Sequence, residues 1–166
     1  MFKIIGAIII SVAFSLLGYL KCRKITKRHS ILLHFNEALS VLRSEIALKK
    51  LPLNKAFFKA GSICDNSCFT YCAEKIPSIG SESAFKQAVL KYSEEYCFTK
   101  NDTDIILSLA PGLGKCDITN QLRQIDYTLS LLQGAIISAE EEKKEKSKMI
   151  MHSSVFAGVA VALILI

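Results

Sequence analysis

Acidic residues are missing from the first 28 positions, where six Lys and Arg stand without a counter-charge, and proline is scarce, with three in 166 residues. The first absence rules out a uniformly basic protein. From His29 onward 15 Lys and Arg face 15 Asp and Glu, so the net charge of +6 belongs to one short stretch. A strip of that kind suits anionic lipid headgroups rather than a nucleic-acid groove, and no nucleic-acid partner is expected. The scarcity of proline bears on helix length. Neither Pro nor Gly lies between Leu20 and Lys50 or between Ala135 and Ala157, so nothing interrupts a helix over either stretch.

Charge is also absent from two long apolar runs. Ile4 to Leu20 is 17 residues without a charged side chain, and Met149 to Ile166 is 18 residues in which His152 alone can ionise. At about 1.5 Å per residue each reaches roughly 25–27 Å, the short edge of what crosses a hydrocarbon core. The expectation is a transmembrane helix with its basic flank over 1–28, a helical domain over 29–148 and a second transmembrane helix over 149–166. Lys3 precedes the first run, whereas Lys21, Arg23, Lys24, Lys27 and Arg28 follow it. Positive charge resists translocation, which places the domain in the cytoplasm, and Lys143, Lys144, Lys146 and Lys148 before the second run agree. A cleaved signal peptide fits less well, because Gly18, Tyr19, Leu20 and Lys21 offer no small-x-small site.

Between the runs the apolar period is helical throughout, and no segment alternates at period two. Leu32, Phe35, Leu39, Leu42 and Ile46 form a three-four stripe, with Leu33, Ala38 and Val41 widening or flanking it. Lys49 and Lys50 favour the end of that helix and Pro52 stops it. A short helix carrying Leu53, Ala56 and Phe57 ends at Gly61. A third starts at Asp65 or Asn66 and closes at Pro77 and Gly80, and a fourth is capped by Ser81 or Ser83. A fifth, Ile105 to Ala110, is capped by Asn101 or Asp102, and Asp117 caps the longest. In that last helix Ile118, Leu122, Ile125, Leu129, Leu132, Ile136 and Ala139 form the stripe. The fold class is all-α, a bundle of about six helices whose terminal members run on into the two spans. Glu140 to Lys148, charged on every face, reads as a solvated neck.

Chemistry is thin. Six cysteines in a reducing compartment are expected as free, mostly buried thiols. Cys64, Cys68 and Cys72 recur at a spacing that stacks side chains along one helix face. Three thiolates so placed belong in a soft-metal site only if a fourth ligand such as Cys97 or Cys116 joins them. Core packing is the simpler reading, and a membrane-tethered thiol or metal sensor is the alternative. Pro111-Gly112-Leu113-Gly114-Lys115 imitates a phosphate loop but has Leu109 where the first glycine belongs and Cys116 in place of Ser or Thr. It reads instead as a tight helix connection. His29 and His34 are surface or packing residues, and His152 sits at a membrane interface. Glu45, Asp117 and Asp126 are isolated carboxylates, read as caps or surface partners. No nucleophile is paired with a base, so neither enzyme activity nor a catalytic, metal or cofactor site is expected.

A helix ending "LRSEIALKKLPLNKAF" after an N-terminal span, and "LGKCDITNQLRQI" opening a long helix into a C-terminal span, resemble the stage III sporulation protein AB family of endospore-forming bacteria. The sharpest matches are Leu42, Glu45 and Ile46, then Pro52-Leu53 with Ala56, then Leu113-Gly114, Asp117 and Gln121. That family looks similar, in its soluble domain, to the F-type platform proteins of type II secretion and type IV pilus machines. The resemblance implies a component of the mother-cell membrane part of the channel complex that joins mother cell and forespore. It implies as partners other channel-complex proteins and the complex's cytoplasmic secretion-type ATPase, stage III sporulation protein AA.

Overall fold

The computed structural model describes the backbone of residues 2–114 and 117–165, and the side chains of 12–13, 16–114, 117–145, 149–150 and 153. Lys115 and Cys116 lie outside the described residues, and so do the side chains of Lys146, Lys148, His152 and most of the two apolar runs. Among the described residues six α-helices follow one another: α1 (Phe2–Lys49), α2 (Leu53–Ile63), α3 (Ser67–Ile79), α4 (Ser81–Ser93), α5 (Lys100–Leu107) and α6 (Ile118–Leu165), with a 3-10 turn at Ala110–Gly112. The described residues contain no strand, as the all-α expectation requires. Among them, no helix is long and apolar enough to cross a membrane. The chain divides into two compact units, Met1–His29 with Ser138–Ile166, and Ser30–Ile137.

In the first unit the guanidinium of Arg28, 8% exposed, donates from Nη1 to Glu142 Oε2 at 2.7 Å. This corrects two expectations. Arg28 is not a free headgroup ligand, and Glu140 to Lys148 is not solvated on every face, because Glu142 turns inward to neutralise a buried cation. Glu140 and Lys144 make an exposed i,i+4 pair at 2.7 Å on the same segment.

The second unit is organised by phenylalanine. Phe35 of α1 meets Phe69 of α3 edge-on with ring centroids 5.0 Å apart, Phe69 meets Phe57 of α2 at 5.3 Å, and Phe57 meets Phe85 of α4 at 5.8 Å. All four side chains are fully buried. Edge and tilted contacts of this kind add about 0.5–1.5 kcal/mol per pair to the burial of apolar area. The α1 stripe behaves as its spacing predicts, with Leu32, Phe35, Leu39, Leu42 and Ile46 between 0 and 3% exposed. The α6 stripe does so only in part. Ile125, Leu132, Ile136 and Ala139 are buried, but Ile118 is 47% exposed and Leu122 and Leu129 are only half-buried. Gln121, Thr128 and Ala135 are buried in their stead. Positions 121, 125, 128, 132 and 135 also step by four and three, so the helix is rotated a fraction of a turn towards its polar neighbours.

Helix ends follow expectation in some places and depart from it in others. Asn66 does cap α3, its Oδ1 accepting from the amides of Cys68 and Phe69 at 3.2 and 3.3 Å. Pro77 lies inside that helix, which runs on to Ile79. Thr99, not Asn101 or Asp102, caps α5, in a reciprocal box with Asp102. Gly80 precedes α4 in the cap position, which leaves Ser81 Oγ to donate across the fold to the Leu113 carbonyl at 2.7 Å. Gly61 does not end α2. It is buried one turn earlier, where a Cβ would stand 2.8 Å from the Thr70 amide nitrogen, so glycine there lets α2 and α3 approach.

Candidate functional site

The cysteines do not form the row that their spacing implies. Cys64 caps the C-terminus of α2, Asp65 follows in a left-handed conformation at φ 47°, and α3 opens only at Ser67. Cys68 and Cys72 therefore lie on another helix from Cys64. Burial raises the thiol of Cys68 far above its ordinary range and that of Cys72 to about 12, and burial also raises Cys64. Thiols held protonated are poor nucleophiles and poor ligands. The Cys68 amide donates to Tyr96 Oη at 3.2 Å, a packing contact deep in the bundle. Among the described residues no group of three or more His, Cys, Asp or Glu side chains could hold a metal ion. His34 is exposed, with Nδ1 3.7 Å from Glu37 Oε2.

The loop that imitates a phosphate cradle has a structural task. Leu113 is fully buried and its carbonyl receives the Ser81 hydroxyl, while Gly114 takes φ 76°. A side chain at 114 would meet both a left-handed backbone and the Ser81 hydroxyl, which accounts for glycine at this position.

Polar chemistry gathers instead where α1 ends. Glu45, expected at the surface, is 6% exposed. Its Oε1 accepts from Lys49 Nζ, one turn on in α1, at 2.9 Å, and lies 3.0 Å from Lys59 Nζ of α2. The hydrogen bonds from Lys49 and then Lys59 hold the carboxyl below its usual pKa. Its other oxygen, Oε2, is buried without a hydrogen-bond partner, and so is Nε2 of Gln121 on α6. A buried carboxylate is held only through its counter-ions, so Lys49 and Lys59 fix the place of Glu45. Beside it Arg43 grips Asp126 of α6 with both arms, through Nε to Oδ1 and through Nη2 to Oδ2 at 2.9 Å. That pair raises the arginine and lowers the aspartate in pKa, and it makes Asp126 the surface partner its spacing implied.

Glu45 thereby ties the end of α1 to α2, whose outer face forms one wall of an open groove of about 520 Å³. Leu51, Asn54, Lys55, Phe58, Lys59 and Ser62 line it from the α2 side, with Ala73 and Glu74 of α3 opposite. Phe58 is 54% exposed and Leu48, in the last turn of α1, is 81% exposed. Sequence reasoning passed over this region by assigning Lys49 and Lys50 to helix termination. A signal was present. Lys49, Lys50, Lys55 and Lys59 fall within eleven positions, and Phe58 is an aromatic next to the buried Ala56 and Phe57 with no place on their face.

The fold defines a class, a small all-α bundle closed around an aromatic core, and the comparisons with known proteins narrow it. The family model for Stage III sporulation protein AB matches residues 3–166, and the chain belongs to that family. Stage III sporulation protein AB of Bacillus subtilis (strain 168) is similar at 24% identity over 170 residues, which span 99% of this chain and 99% of the relative. A solved structure of Stage III sporulation protein AB (SpoIIIAB) shares the fold, with a TM-score of 0.66 at 19% identity over 72% of this chain and 98% of that one.

Proposed function

We propose that this chain is a membrane-anchored platform in the channel complex between mother cell and forespore, and that it docks the complex's cytoplasmic ATPase, stage III sporulation protein AA. Family membership over residues 3–166 carries the reading, because the match takes in both uncharged runs as well as the helices between them. The runs at 4–20 and 149–166 anchor the chain in the mother-cell membrane. Five basic residues behind the first hold 29–148 on the cytoplasmic side, where an ATPase has access. The role is mechanical: α1 and α6 contain no proline, so each helix runs on without a break.

Two measurements test this. Protease added outside intact sporulating cells is expected to spare residues 29–148, and degradation there would reverse the topology and remove the ATPase from reach. A flexible Gly-Ser segment inserted between Glu140 and Lys148 keeps the tether while releasing orientation. It is expected to lower spore yield with membrane insertion and helicity intact, and normal spore formation would reduce the role to simple anchoring.

A further inference from the structure

The groove between α2 and α3 has features that single it out from the rest of the described surface. Its floor is apolar, with Phe58, Leu51 and Ala73, and Phe58 stands half out of the surface rather than closing into the core. Exposing an aromatic of that size has no structural benefit, whereas pockets lined by aromatic side chains are where partner residues anchor. The charge is one-sided. Lys55 and Lys59 line the α2 wall, and Lys49 and Lys50 stand at the adjoining end of α1. Glu74 lines the α3 wall, so the cationic edge is the α2 one.

Glu45 decides how those cations are held. Two ammonium groups share its single oxygen Oε1, at 2.9 and 3.0 Å, so the cluster keeps an excess of positive charge after the pairing. Because the carboxylate is buried, it fixes the end of α1 and the α2 wall in one arrangement before any partner arrives. Cations held in place beforehand lose less freedom when an anion docks than flexible surface lysines do.

From this arrangement we infer that the α2–α3 groove is the dock for the ATPase, and that the ATPase enters it with an acidic segment carrying one apolar anchor residue. The inference rests on the platform reading above and adds the surface and the chemistry of the contact. The anchor packs on Phe58 and Leu51, and the flanking carboxylates face Lys55, Lys50 and the lysine pair on Glu45. Such a contact is steered by charge, so it weakens as salt rises.

The test uses the full chain in detergent micelles and the purified ATPase, with affinity measured between low and physiological salt. Phe58→Asp and Lys55→Glu are each expected to weaken binding at least tenfold, while Lys55→Arg and Tyr127→Asp, an exposed position on α6, leave it within twofold. Lys55→Glu is also expected to flatten the salt dependence, a readout that mere destabilisation would not reproduce. Circular dichroism of each variant separates lost binding from lost folding. Wild-type binding that survives both groove substitutions overturns this surface and leaves the platform reading in place. No binding by the wild type overturns the platform reading and this dock with it.

Discussion

Two regions of the second unit are built on opposite terms. The phenylalanine ladder from Phe35 through Phe69 and Phe57 to Phe85 is fully buried, with successive ring centroids 5.0 to 5.8 Å apart. The corner at the end of α1 buries the Glu45 carboxylate, held at one oxygen by Lys49 and Lys59. Apolar burial stabilises without needing a particular neighbour, whereas a buried charge is held only by the geometry of its counter-ions. The ladder therefore answers for the stability of the bundle. The corner sets Lys59 at the groove through the carboxylate that it shares with Lys49.

Substitutions in the two regions separate these roles. Phe69→Ala, at the centre of the ladder with contacts to both Phe35 and Phe57, is expected to cost about 3–5 kcal/mol, read by denaturant unfolding of the full chain in micelles. A loss below about 1 kcal/mol would mean that the ladder is not the organising core. Gly114→Ala meets a backbone at φ 76° and the Ser81 hydroxyl, and is expected to lose about 1–2 kcal/mol. An unchanged melting temperature there would show that the loop relaxes freely.

Glu45→Gln tests the corner through its pH dependence. The folded carboxyl lies below its ordinary 4.5, so the charge contributes stability that is fully present above that value and is lost as pH falls through the depressed one. The variant is expected to melt below wild type at pH 7, and the gap is expected to close in the acid range beneath pH 4.5. A gap that persists unchanged in acid would assign the loss to shape rather than charge. The smallest effect belongs to Arg43→Ala. That pair is bidentate, but its side chains are 41% and 48% exposed, so the expected loss is about 1 kcal/mol or less and shrinks further in salt. A loss of several kcal/mol would make it part of the core after all.

Legibility followed the same divide. The α1 stripe could be read directly, since every residue of Leu32, Phe35, Leu39, Leu42 and Ile46 is apolar and every one is buried. The α6 stripe misled only in part: two heptad-like registers share Ile125 and Leu132, Ile136 and Ala139 are buried as expected, and Gln121 and Thr128 pack where Leu122 and Leu129 were expected to. Thr128, 1% exposed, satisfies its hydroxyl internally by donating to the Gln124 carbonyl at 3.0 Å, so burying it leaves no unmet donor. The cysteine spacing misled for a different reason. A helix boundary with a left-handed Asp65 falls between Cys64 and Cys68, and i,i+4 reasoning holds only within one helix.

By itself the sequence determined the all-α class, the α1 core stripe, an α3 cap at Asp65 or Asn66 and the family, because each rests on periodicity, local capping chemistry or short matched motifs. Only the tertiary structure decided that Glu45 lies inside, that Lys59 shares it with Lys49, and that Phe58 stands out beside them. Those facts depend on which faces of α1, α2 and α3 meet. A position in one helix fixes the direction of its own side chain, but not the neighbour that the fold brings against it.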